Sequence, residues 1–163
     1  MTSDSRGLVR ERSWITDAVA GAGAGVVGGI AFGGLMGMAG MLPMIGMLVG
    51  REDALVGLGI HLLISATIGV TYGVLFGGVA AARRPATGAL VGGAYGFVWW
   101  ILGPLVLMPT MMGMGPQFGA AFSGMNLMSL MGHVIYGVIL GVTFPFIAAS
   151  LTARTGTASP VAR

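Results

Sequence analysis

Two histidines and a one-sided cluster of methionines are the residues of this chain whose chemistry can do more than pack. His61 opens the stretch HLLISATIGVTYG and His133 opens HVIYGVILGVTFP, and each carries Gly-Val-Thr and then an aromatic ring at places nine to twelve. Apart from Met1, the methionines fall at Met36, Met38, Met41, Met44 and Met47, at Met108, Met111, Met112 and Met114, and at Met125, Met128 and Met131. Many lie three apart, which stacks thioethers along one face of a helix. Thioether and imidazole are soft neutral donors suited to Cu(I). His61, His133, Met41, Met44, Met125, Met128 and Met131 are therefore the candidate metal ligands, with copper the metal to test first. Two imidazoles on facing helices also suit a bis-histidine haem b, which makes His61 and His133 candidate axial ligands of an electron carrier. Beside these stand two blander roles. Methionine fills irregular gaps near kinked helix ends, and a neutral imidazole is content with a carbonyl or hydroxyl partner.

The elements that must position these groups are membrane spans. Of the chain, 55% is hydrophobic and only 8% charged, which does not describe a soluble domain. Charges lie in clumps between four apolar stretches, each longer than the roughly 20 residues that cross a ~30 Å hydrocarbon core as helix. The expected architecture is an all-α integral membrane four-helix bundle. A cytoplasmic segment 1–17 precedes a transmembrane domain 18–151, and a polar tail 152–163 without structure follows. The first span is expected over Ala18–Leu42, ended or kinked by Pro43, and the second over Ala54–Ala82. The third is expected over Ala86–Met112, bent by Pro104 and Pro109, and the fourth over Met125–Leu151. Arginines 6, 10, 12, 83, 84, 154 and 163 then fall on one side, and Arg51, beside Glu52 and Asp53, falls on the other. By the positive-inside rule both termini are cytoplasmic.

The chain also repeats itself. Gly21, Ala22, Gly25, Gly29, Leu35, Gly46 and Met47 align at one constant offset with Gly88, Ala89, Gly92, Gly96, Leu102, Gly113 and Met114. With the histidine frames, this makes the unit a helical hairpin duplicated in tandem, at about 18–82 and 86–151, the two copies related by an axis along the membrane normal. Glycines every fourth residue give each span a face for close helix contact, since lipid supplies no hydrophobic drive for association. His61, Ser65, Gly69, Tyr72 and Phe76 share one helical face, as do His133, Gly137, Gly141 and Phe144. That is the face a bundle turns inward, and both histidines lie in the outer half.

Several functions are excluded by what is missing. No acidic or basic residue is expected inside a span, so a carboxylate proton relay has no carrier. Hydrolytic chemistry lacks its acid and a phosphate loop its lysine, so no enzymatic activity is assigned. GAGAGVVGG opens a membrane span and is no dinucleotide fingerprint. No basic stripe with interleaved aromatics exists for nucleic acid. Cysteine is absent, which removes disulfides and thiolate sites. Trp99 and Trp100 sit mid-span, where they fill core or line a cavity.

The histidine that opens a span, the run GALVGGAYG at Gly88 to Gly96, PLVLMPTMMGMGP at Pro104 to Pro116, and Gly132-His133 together resemble the YagU-like family of small bacterial inner-membrane proteins. The likeness covers about half the chain, from His61 to Phe144. It implies a multi-pass bacterial plasma-membrane protein and no established activity, and the methionine cluster is outside the family's pattern. Three expectations stand: a metal- or ligand-binding bundle, a haem carrier, and a structural or assembly subunit whose glycine faces continue onto a membrane partner or a second copy. The lipid bilayer is a partner in all three.

Overall fold

The computed structural model describes residues 13–156. It contains four helices long and apolar enough to cross a membrane, and no strand among the described residues. Helix α1 (Trp14–Met38) is capped by Ser13, whose hydroxyl accepts from Thr16 N. A short helix α2 (Leu42–Gly46) and a 3-10 turn over Met47–Val49 lead to α3 (Ala54–Phe76). Asp53 starts α3, its carboxylate accepting from Leu55 N and Val56 N at 2.9 Å each, which satisfies two of the first-turn donors. A 3-10 turn over Ala80–Arg83 precedes α4 (Pro85–Trp100). The third crossing continues as a π-helical segment Ile101–Leu107 and α5 (Met108–Met111). A loop holding the 3-10 turn Phe118–Ala120 enters the long α6 (Gly124–Gly156).

The chain ends its helices for different reasons than hydropathy suggests. Asp17, expected outside the first span, lies in the first turn of α1 and is 1% exposed. At the other end α1 stops at Met38, and Gly40 turns the chain with φ +66°. Pro43 breaks nothing. It sits in the first turn of α2, where a missing N–H leaves no helix bond unmade. The second crossing stops at Phe76 instead of Ala82, with the chain extended at Val79. Helix α6 runs to Gly156, so the tail's first residues are helical. The remainder of the tail, and residues 1–12 with Arg6, Arg10 and Arg12, lie outside the described residues.

Two tight seams hold the bundle. A Cβ on Gly25 would collide with the Ser65 carbonyl and the Gly69 Cα, and one on Gly69 with the Gly21 carbonyl and the Gly25 Cα. The α4–α6 seam has the same pattern. A Cβ on Gly92 would strike the Gly137 carbonyl and the Gly141 Cα, and one on Gly141 the Gly88 carbonyl and the Gly92 Cα. Only glycine admits backbones so close, and the return is dispersion contact and Cα–H···O interactions along the seam. Pro145 has no N–H for the Gly141 carbonyl, and that carbonyl is the one against which Gly88 packs. Helix α1 also packs on α6, where Gly28 stands against Tyr136.

Helices α3 and α4 meet mainly through Tyr95. Its hydroxyl donates to Ile68 O at 2.9 Å and pairs with the Thr71 hydroxyl. Tyr136 ties α6 to α3 by donating to Ser65 O at 2.7 Å. At the proximal end, where the described chain begins and ends, Tyr72, Tyr95 and Phe144 pack edge to face. The Arg83 guanidinium lies 5.7 Å from the Phe144 ring centroid. It pairs with Asp17 and donates through Nε to Gly77 O. Asp17 is thus an acidic group held inside a span helix, which the clumped charge pattern conceals.

Candidate functional site

The distal half of the bundle, near the loops after α1 and α5, opens into a cavity of about 410 Å³. That is the size range of small-molecule sites. Both histidines reach it from different helices, with Met36 of α1, Met41 and Met44 at α2, Met108 and Met111 of α5, and Met125 of α6. Ser65, Asn126, Ser129 and Tyr136 add the few polar groups, and Trp99 closes one wall.

The two imidazoles are held differently. His61 sits 7% exposed, with Nε2 3.0 Å from Gly29 O of the neighbouring helix. A carbonyl oxygen only accepts, so Nε2 carries the proton and the lone pair is on Nδ1. His133 places Nδ1 2.8 Å from Ser129 O, one turn back on its own helix. Nδ1 is therefore the donor, and Nε2 keeps its lone pair. Nε2 lies near Gly103 of the π segment, where an added Cβ would stand 3.7 Å from it. A ring held by an Nδ1–H···O=C bond with Nε2 free is how metal-ligating imidazoles are oriented.

Phe32 contacts both rings edge-on, with centroids 5.2 Å from His61 and 4.8 Å from His133. It is itself fixed by Gly132, where a Cβ would overlap the ring. Phe32 lies against both imidazoles, so a haem clamped between them would have to displace its ring. Among the described residues no three His, Cys, Asp or Glu side chains gather. A metal here would have imidazole and thioether as its donors.

The predicted ligands divide into two groups. His61, His133, Met41, Met44 and Met125 line the cavity, whereas Met128 and Met131 do not. On α6, Met125, Ser129, His133 and Tyr136 share a face, and the 3.6-residue repeat turns Met128 and Met131 onto the adjoining one. These two line a separate groove against α1.

Sequence reasoning missed Phe32, Asn126 and Ser129. The Ser-x-x-x-His spacing of Ser129 and His133 is a local signal for the positioning turn; nothing local marks Phe32. Trp99 lines the cavity as expected of a mid-span ring. Trp100, 5% exposed, donates from Nε1 to Asn126 O at 2.9 Å and so anchors the start of α6.

The third crossing shapes the opening. Pro104 lies inside the π segment, whose wide turns mark a locally altered helix. Pro109 has no N–H for the carbonyl four residues back. Leu105 O instead accepts from Gln117 N of the following loop at 2.7 Å. The loop is thereby fastened to the backbone defect beside the cavity.

Comparison of the chain with family models, with curated proteins and with solved structures finds no match.

Proposed function

We propose that this chain is a multi-pass membrane protein that binds Cu(I) in its distal cavity, with His133 Nε2 the anchoring donor and methionine thioethers completing the shell. The observation that carries the reading is that His133, whose Nδ1 is the hydrogen-bonded nitrogen, and six methionines from four elements line one cavity. A monovalent ion among neutral donors also needs no carboxylate partner, which matches a cavity without acidic side chains. His61 contributes through Nδ1, or takes its present place as a hydrogen-bonded wall.

The bundle is read as two tandem hairpins. The matching contacts of Gly25 and Gly92, and of Gly69 and Gly141, support this. Arg83, Arg84 and Arg154 at the proximal end, against Arg51 with two acids at the distal end, support cytoplasmic termini. The resemblance to the YagU-like family favours a bacterial inner membrane. Because the chain has no cysteine, single-cysteine labelling from either side tests the orientation directly.

A second reading, an uncharged apolar ligand, is favoured by one observation. Ile64 and Ile68 of α3 and Leu107 beyond α4 line the cavity where those two crossings are joined mainly through Tyr95, which gives a lateral route from the bilayer. An assembly role has less support, since the seam glycines pack within the chain.

Elemental analysis of the detergent-purified protein, grown with copper and iron supplied, tests the proposal. Near-stoichiometric copper that falls in His133→Ala is the expected result. Background copper with a co-purified apolar molecule moves the assignment to the second reading.

A further inference from the structure

Met128 and Met131, excluded from the cavity, are not left among lipid alone. They line a groove of about 140 Å³ at the distal rim, together with Met38 and Leu35 of α1. Met38 is the last residue of α1 and is 81% exposed. Met128 and Met131 stand three apart on α6, half exposed. Three residues complete the arrangement: Phe32, Met36 and Met41 line this groove and the cavity alike.

We propose that Met38, Met128 and Met131 form a second Cu(I) site of thioethers alone, which receives the ion at the distal rim and passes it through Met36 and Met41 to the cavity. The inference rests on the copper reading of the cavity and adds to it a second site at the rim. Three thioethers make a trigonal shell for a soft monovalent ion. Methionine's unbranched chain lets a sulfur swing between neighbouring spaces without backbone motion. The transfer is ligand exchange: one Cu–S bond forms as another breaks, the ion stays Cu(I), and no proton or electron moves. Met36, 5% exposed, is the bridging donor, since it reaches both spaces from inside the wall.

Lipid-facing methionine filler would also put sulfur on this surface, and copper counting separates the two. The full chain in detergent is titrated anaerobically with Cu(I) against a chromophoric chelator, beside a variant carrying Met38→Leu, Met128→Leu and Met131→Leu. Leucine keeps the apolar volume and removes the donor. The wild type should bind about two ions per chain and the variant about one. X-ray absorption should show sulfur without nitrogen around the ion that the variant loses. Equal copper in both proteins overturns the second site while leaving the cavity reading intact; no copper in either overturns both. Should the variant fail to elute as the wild type does, the wild-type spectrum decides alone. A second equivalent that adds sulfur scattering only supports the site, and one that adds nitrogen in equal proportion overturns it.

Discussion

The hairpin α1–α3 and the hairpin α4–α6 close on matching glycine contacts, yet they end in different chemistry. In the first, the distal connection is a compact turn. Helix α2 lies on the start of α3, because Gly57 leaves room for the Leu42 carbonyl and Gly46 for that of Arg51. In the second, the distal part of the crossing is a π segment holding Pro104, followed by the short helix α5 that holds Pro109. The histidines follow suit: His61 binds a carbonyl of the helix opposite, whereas His133 binds its own turn and keeps Nε2 free. At the proximal end Asp17 of α1 pairs with Arg83 of the turn that joins the two hairpins. Glycines at matching places set the helix pairing of both hairpins, and the two hairpins differ in how they hold the histidines that line the cavity.

The severest way to break this comparison is to fill a seam. Gly25→Val and Gly92→Val should each abolish the monodisperse protein in detergent, because the new side chain meets backbone that has nowhere to go. Gly34→Ala, with nothing within 4 Å of the added methyl, should leave the elution profile unchanged. Intact protein from either valine variant would mean that the seams are looser than described. Next comes the asymmetry of the histidines. His133→Ala should weaken Cu(I) binding by about tenfold or more, in line with loss of a ligand or its orienting partner. His61→Ala should weaken it by less, since Nε2 there is already engaged. Equal losses would restore the symmetric picture of the two frames.

The proximal pair is the third test. Arg83→Ala should lower stability by roughly 2–3 kcal/mol, below the cost for a fully buried pair because Arg83 is about one-third exposed and partly screened. Thermal unfolding in detergent measures it, and a change within error would assign Asp17 to other partners. The fourth is Tyr136→Phe, which removes the tie to Ser65 O and should cost about 0.6 kcal/mol, the average for hydrogen bonds between membrane helices. The smallest effect has the opposite sign. Among the described residues the buried Tyr72 hydroxyl has no hydrogen-bond partner, and the corresponding place in the second frame is Phe144. Tyr72→Phe should therefore leave the unfolding temperature unchanged or raise it; a clear drop would reveal an unseen partner.

How much of this the sequence discloses depends on the range of the interaction. Four crossings, the inward faces of α3 and α6, and the glycine contacts follow from periods of four residues and from apolar length, which are local signals. The five cavity-lining candidates His61, His133, Met41, Met44 and Met125 were legible as residue types on the distal side. The separation of Met128 and Met131 from Met125 lies within reach of the 3.6-residue repeat of α6, but the groove they line against α1 depends on how the two helices pack. Phe32 between the imidazoles, and Asp17 against Arg83, depend on contacts between helices far apart in the chain. Helix ends were missed where a glycine, not the expected proline, turned the backbone, as at Gly40.

The most direct test of the central claim is copper K-edge X-ray absorption of the wild-type chain loaded with one equivalent of Cu(I). Copper binding as proposed predicts a low-coordinate ion with sulfur and imidazole nitrogen in its first shell, the nitrogen lost in His133→Ala. A shell without sulfur, or one unchanged by that substitution, would contradict copper binding in the distal cavity.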